Sequence, residues 1–362
     1  MRVLFMCDTL GGGGAQKLVT DLILTMKDED EIQMVVLSSN SDKYSQILKK
    51  SGVNVKFIDA KRPLEILSRL KKIFINEEFD VIHVNLFHSL YYASILKRIL
   101  GKKCPPLTMT EHSTDNKRRH KSWMKPIEKW IYGSYEYIIS ISQETQNQLI
   151  SWLDPVKKEK FCVIENGIQL SKFTNAKAIS RETLCSQYSE NDVLIAMVGS
   201  FTLQKNHETM IKAMKKLPSH YKLILVGEGP LCEKIKGMVA ELNLKNRVYF
   251  FGFRKDVAEI MHSVDILAIP SLWEGFGLIA VEGMASGVPL VSSDVIGLSD
   301  IVSDCGLKFK PEREDEIANC IAQLSNPNIY NELKRKGMKR AQLFDIAEMK
   351  TRYKYVLKKA VK

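Results

Sequence analysis

Two glutamates, Glu274 and Glu282, bracket a glycine-containing turn and the start of an apolar run. That run, Leu278-Ile279-Ala280-Val281-Glu282-Gly283-Met284-Ala285, is apolar nearly all round, so a buried helix is predicted from about Gly277 to Ser286. A carboxylate inside such a helix is costly without a partner. Either Glu282 caps a backbone group or it meets a polar ligand. Backbone N–H groups of Phe276, Gly277 and Leu278 would point toward the same ligand, which suits an anionic one. A second junction, Val198-Gly199-Ser200-Phe201-Thr202-Leu203-Gln204-Lys205-Asn206-His207, leaves a strand and enters a helix near Asn206. Cations prefer helix C-termini, so Lys205 at a helix start is either a solvated surface lysine or the partner of a bound diphosphate.

Two further junctions lie in the first half. Gly11-Gly12-Gly13-Gly14 precedes an expected helix Ala15–Met26, where Gly13 and Gly14 would let backbone amides approach an anion; a flexible turn is the alternative. This is no P-loop, because Lys17 is followed by Leu18, and no dinucleotide fingerprint, because Gln16 stands at the last glycine. Ser38-Ser39-Asn40 stand where a nicotinamide site wants an acid. Thr110-Glu111-His112-Ser113 follows a strand, so His112 could hydrogen-bond a polar ligand or serve structurally.

These junctions need a scaffold of strands and helices. Val3–Met6, Met34–Leu37, Val53–Ile58, Val81–Val84, Leu107–Thr110 and Tyr137–Ser140 read as strands in the first half. In the second half Val193–Val198, Leu223–Val226, Val248–Phe251, Ile266–Ile269 and Val288–Val291 do the same. Alternation with amphipathic helical stretches implies parallel sheets covered on both faces, the doubly wound α/β class. The polar stretch Glu165–Arg181 reads as an interdomain crossover, giving domains 1–165 and 166–345 with a cleft between them. The stretch from Ala347 to Lys362 is helical by spacing, and either domain could receive it.

With 362 residues, a 45% hydrophobic fraction and a net charge of +11, the chain is neither disordered nor short of core. No apolar run reaches the roughly 18 residues of a spanning helix. The opening apolar run is too short for a signal-peptide core, and seven scattered cysteines read as reduced thiols, so the expected location is the cytoplasm. Lys117, Arg118, Arg119, Lys121, Lys125 and Lys129 concentrate the basic charge. The lysines recur every four residues as a helical stripe with Trp123, Ile127 and Trp130 beside it. Such a helix suits an anionic membrane surface; a solvated helix whose tryptophans face the domain core is the alternative.

Taken together, these residues resemble the retaining glycosyltransferase family 4, of GT-B fold, over nearly the whole chain. Glu274 to Glu282 matches its E-x7-E motif in the form E-G-F-G-L. Gly287-Val288-Pro289, Val226-Gly227-Glu228-Gly229-Pro230, Phe251-Gly252-Phe253-Arg254 and Glu165-Asn166-Gly167-Ile168 match further signatures in the family's order. The resemblance implies two Rossmann-like domains facing each other across a cleft, and transfer of a hexose or N-acetylhexosamine from a nucleotide sugar, with UDP the commonest carrier. It implies that Glu282 binds the ribose, and that Glu274 with the amides of Phe276, Gly277 and Leu278 holds donor sugar and diphosphate. Lys205 would neutralise the diphosphate, approached by Gly13 and Gly14, while His112 contacts the transferred sugar and backbone near Phe253 reads the base. Ser200 stands where the family often has arginine, so Lys205 either acts alone or is helped by another cation, for which Arg254 is a candidate. The implied acceptor is a glycan or lipid-linked glycan of envelope polysaccharide synthesis, met at the cytoplasmic membrane face.

No cofactor and no divalent metal is implied; Asp28-Glu29-Asp30 has the metal motif of another glycosyltransferase fold but lies away from the junctions. A GT-B-fold epimerase, hydrolase or phosphorylase is the nearer rival reading. A nucleic-acid-binding protein is the remoter one, since it leaves Glu282 unexplained.

Overall fold

The computed structural model describes residues 1–11, 13–40, 43–114, 118–154 and 157–362. The chain divides into two compact units, Met1–Gly167 with Ile346–Lys362, and Ile168–Asp345. The division falls two residues beyond the expected boundary.

The first unit runs β1 (Arg2–Cys7), α1 (Gly14–Met26), β2 (Glu31–Val36), α2 (Lys43–Lys50), β3 (Asn54–Phe57), α3 (Pro63–Asn76) and β4 (Val81–Asn85). It continues through α4 (Phe87–Leu100), β5 (Leu107–Glu111), α5 (Met124–Tyr132), β6 (Tyr137–Ser140), α6 (Gln143–Leu153) and β7 (Phe161–Val163). The strands form one parallel sheet in the order β3-β2-β1-β4-β5-β6-β7. Its central strands β1 and β4 are buried on both faces, as parallel strands sandwiched by helices must be, and are apolar but for Arg2 at the start of β1 and the buried His83 and Asn85 of β4.

The second unit runs α7 (Leu170–Thr174), α8 (Arg181–Leu184), β8 (Val193–Val198), α9 (His207–Lys216), β9 (Tyr221–Val226), α10 (Cys232–Glu241), β10 (Val248–Phe250) and α11 (Val257–Met261). There follow β11 (Ile266–Ile269), α12 (Leu278–Ala285), β12 (Leu290–Ser293), α13 (Ser299–Val302), β13 (Gly306–Phe309), α14 (Glu314–Gln323) and α15 (Pro327–Ala341). Its parallel sheet has the order β10-β9-β8-β11-β12-β13. Both sheets are therefore doubly wound, with the strand order reversing between β1 and β4 in one and between β8 and β11 in the other. In such sheets ligands bind beyond the carboxyl ends of the strands at that reversal. β8 leads into the Ser200–Lys205 loop and β11 into the turn carrying Glu274. Register pairs Ile266 with Ile195 and Leu267 with Ala196, so these two junctions emerge side by side.

Two strands escaped the sequence reading, and both are edges. β7 is an apolar run of only three residues, Phe161-Cys162-Val163, and β13 is broken by Gly306 and Lys308, so neither shows the longer apolar run of a central strand. β12 begins two residues later than predicted and ends in Ser292 and Ser293, both fully buried. Pro289, which has no N–H to give a ladder, precedes it.

The last helix, α16 (Ile346–Val361), belongs to the first unit. Ile346, Met349, Tyr353, Val356 and Leu357 join Leu18, Leu22 and Ile23 of α1 in one apolar cluster. Lys350 and Lys354 reach Glu29 at 2.6 and 2.7 Å, and Lys354 also reaches Asp30 at 2.8 Å. These two lysines hold the Glu29 carboxyl down at about 2. Glu29 and Asp30 of the Asp28-Glu29-Asp30 turn thus fasten a helix.

Candidate functional site

Local sequence explains how the second unit presents its functional side chains. α12 starts where predicted, with Gly277 as its N-cap at φ +79°, a left-handed conformation that glycine adopts without strain. The positive end of α12 is thus formed by backbone alone, and Glu282 lies in its second turn, buried. Phe276 is buried edge-on to Phe344, with ring centroids 5.7 Å apart, which fixes the turn between Glu274 and the helix.

Lys205 ends a short 3-10 turn, Leu203–Lys205, just before Asn206 caps α9. Its ammonium is paired with Glu274 Oε1, and Ser271 Oγ donates to the same oxygen at 2.8 Å. The anion demanded by a lysine at a helix start is thus present as a carboxylate from the neighbouring junction. Lys205 and Glu274 are both largely buried, so the pair is strongly felt. The structure brings together two predicted residues 69 positions apart.

The loop holding Lys205 rests on glycines. A Cβ on Gly227 would sit 2.0 Å from the Gly199 carbonyl, and one on Gly229 would sit 2.6 Å from the Phe201 nitrogen and oxygen. The Gly-Glu-Gly segment therefore lets the 199–205 loop lie directly on it. Phe201 N donates to Glu228 O and Leu231 N to Phe201 O, each at 3.0 Å. Phe201 also stacks on buried His207 at 4.1 Å between centroids. Burial, helped by Lys205, lowers the His207 imidazole to about 4. Ser200 is exposed at the start of this loop. Phe253 is half-exposed, its N–H donating to Glu228 Oε1 at 3.3 Å. Arg254, the candidate helper of Lys205, grips Asp256 with both Nε, at 2.7 Å, and Nη2.

Three contributors in this unit were missed. Glu228 links two signatures by accepting from Phe253. Ser271 orients Glu274. Gly297, at φ +82°, leaves no room for a side chain: its Cβ would lie 2.3 Å from the Glu274 carbonyl. The glycine at 297 was a visible signal, but the residue it faces was not.

In the first unit, Gly13 is the N-cap of α1 and Gly14 its first residue. His112 sits beyond β5, with Nε2 2.9 Å from Asn85 Oδ1 at the end of β4. Burial lowers His112 to about 4, so the ring is neutral at pH 7. A pocket of about 130 Å³ there is lined by His112, Glu111, Ser113, Arg118 and Tyr132 among others.

The basic stretch differs from the predicted stripe. Its helix, α5, begins only at Met124, and Lys117 lies outside the described residues. Arg118 bonds Glu128 at 2.6 Å, and Arg119 bonds Glu111 at 3.1 Å with only 7% of its side chain exposed. These two arginines are internal because buried carboxylates demand partners. Lys129 faces Asp154 at 3.6 Å, and Lys125 lies 5.9 Å from the Trp152 ring centroid. Trp123, Ile127 and Trp130 are exposed, at 62%, 41% and 46%.

Two doubly wound parallel-sheet units in one chain are the architecture expected of a GT-B glycosyltransferase. Residues 12–172 match Glycosyltransferase Family 4 and residues 185–341 match Glycosyl transferases group 1, and the chain belongs to this family. It is 24% identical over 356 residues to an N-acetylgalactosamine-N,N'-diacetylbacillosaminyl-diphospho-undecaprenol 4-alpha-N-acetylgalactosaminyltransferase of Campylobacter jejuni, covering 93% of this chain and 94% of that one. A UDP-Gal:alpha-D-GlcNAc-diphosphoundecaprenol alpha-1,3-galactosyltransferase of Escherichia coli is 25% identical over 287 residues, 75% of this chain and 72% of that one. The crystal structure of Anabaena HepE in complex with UDP superposes with a TM-score of 0.87 at 21% identity, covering 99% of this chain and all of that one.

Proposed function

We propose that this glycosyltransferase moves a hexose or N-acetylhexosamine from a UDP-sugar, with retention, to a lipid-linked glycan of envelope polysaccharide synthesis. The Lys205–Glu274 pair beside the start of α12 is the observation that carries the reading. As the bond between anomeric carbon and phosphate breaks, negative charge grows on the departing diphosphate. Once the donor is bound, Lys205 and the α12 end face the diphosphate before the bond breaks, so little reorganisation is needed when the charge appears. On donor binding Lys205 turns to the diphosphate and Glu274 to the sugar hydroxyls, while Glu282 takes the ribose. With Arg254 held by Asp256, Lys205 carries the diphosphate charge without the arginine usual at Ser200. Gly13 and Gly14 approach the diphosphate from the first unit, and neutral His112 hydrogen-bonds the transferred sugar. No divalent metal enters this scheme.

UDP is favoured because HepE was also crystallised with UDP-glucose, at a TM-score of 0.83 to this chain. A lipid-linked acceptor is favoured because both relatives named above bear diphospho-undecaprenol acceptors in their names. The exposed Trp123, Ile127 and Trp130 beside Lys121 and Lys129 suit a peripheral contact with an anionic membrane. No described helix is long and apolar enough to cross one.

Thermal unfolding with UDP, GDP and ADP, each with EDTA and with magnesium, tests the donor. A ligand at 100 times its Kd adds about 2.7 kcal/mol. A shift with UDP that survives EDTA is expected, and no shift with any nucleotide would sink the proposal. NMR of the product's anomeric proton tests retention. Turnover of the UDP-sugar without acceptor would favour the epimerase or hydrolase alternative.

A further inference from the structure

The first unit holds a second concentration of charge that the donor chemistry leaves unused. Glu111, Glu128 and Arg119 are buried and Arg118 nearly so, although burying ion pairs seldom stabilises a fold. Glu111 closes β5 immediately before His112. Its Oε1 accepts the Ser113 N–H at 3.1 Å, and its Oε2 accepts the Tyr132 hydroxyl at 2.7 Å and Arg119 Nη2 at 3.1 Å. Arg119 also donates to the Thr114 carbonyl at 2.6 Å. Glu128 Oε1 takes Arg118 Nε at 2.6 Å and Glu128 Oε2 takes Trp152 Nε1 at 2.7 Å, while Arg118 lies 3.8 Å from the Phe87 ring centroid.

The backbone on both sides of His112 is thereby tied down: residue 111 by its own strand, 113 by Glu111, and 114 by Arg119. The ring itself is held through Asn85. Residues 112–114 belong to no helix or strand, so these side chains do what a backbone ladder would otherwise do. We infer that Glu111, braced by Tyr132 and Arg119, is a positioning residue that holds His112 at the transferred sugar. The inference rests on the role given to His112 above.

A double-mutant cycle tests it, with Glu111→Gln, His112→Ala and the pair compared in kcat on a UDP-sugar and a lipid-linked acceptor. Glu111→Gln should lower kcat about tenfold in the parent and less than twofold in the His112→Ala background, with KM for the nucleotide sugar within twofold throughout. An equal loss in both backgrounds would overturn the inference, because a merely structural residue acts whether or not His112 is present. Should Glu111→Gln fail to fold, Tyr132→Phe takes its place; it removes one hydrogen bond to Glu111 and keeps the ring. Undiminished activity in His112→Ala would remove the role of His112 and this inference with it, while turnover itself would leave the transferase reading standing.

Discussion

Gly229→Ala is the sharpest test of how the second unit holds its lysine. The new methyl group would lie 2.6 Å from both the nitrogen and the oxygen of Phe201, where ordinary contact begins at 3.4 Å. The 199–205 loop must therefore lift by roughly 0.8 Å, which severs the 3.0 Å bonds Phe201 N–Glu228 O and Leu231 N–Phe201 O. Each is worth about 1 kcal/mol net, and more when a buried group is left unpaired, so a loss of about 2–4 kcal/mol follows. For a unit of this size that lowers the second-unit melting transition by roughly 5–15 °C. The same lift carries Lys205 away from Glu274, and a misplacement near 1 Å costs on the order of 100-fold in kcat/KM. Gly237→Ala in α10 is the control, since nothing lies within 4 Å of its Cβ and the helix gains about 0.5–1 kcal/mol. Calorimetry and transfer kinetics on both variants decide the matter. A Gly229→Ala protein with parent Tm and parent activity would refute the steric argument.

Other outcomes follow from the same geometry. Lys205→Ala should lower kcat/KM on the order of 100-fold or more without unfolding the protein, and a loss below threefold would remove its diphosphate role. In the first unit His83 and His112 are lowered to about 3 and about 4, burial being the main cause. Their unfolded value is near 6.5, so the unfolded chain binds more protons below that pH and stability falls as pH drops from about 6.5 toward about 4 for His112 and about 3 for His83. At pH 5 each costs about 2 kcal/mol; calorimetry at pH 7.5 and 5.0 should show the first unit weakened, and equal stability would contradict the burial argument. Leu357→Ala in α16, buried with Leu18 and Ile23, should cost the first unit about 2–5 kcal/mol and leave the second-unit transition in place, as two-step melting would reveal.

The repeating apolar runs determined the parallel sheets, and the glycine junctions marked where each sheet would meet a ligand. Both are local: a strand's period and a turn's glycine are written within a few residues. The α12 turn and Glu282 were legible for that reason, while the Gly-Glu-Gly segment showed only through the family resemblance. Only the tertiary structure decided that Lys205 meets Glu274, because that pairing depends on β8 and β11 lying side by side. It also turned Arg118 and Arg119 inward, since charge in a sequence says nothing of where the carboxylates that would bury it have folded. The edge strands β7 and β13 and the docking of α16 were hidden likewise. A strand of three or four residues is too short to show a period, and a helix's apolar face shows that it packs, while strand order and register choose against what.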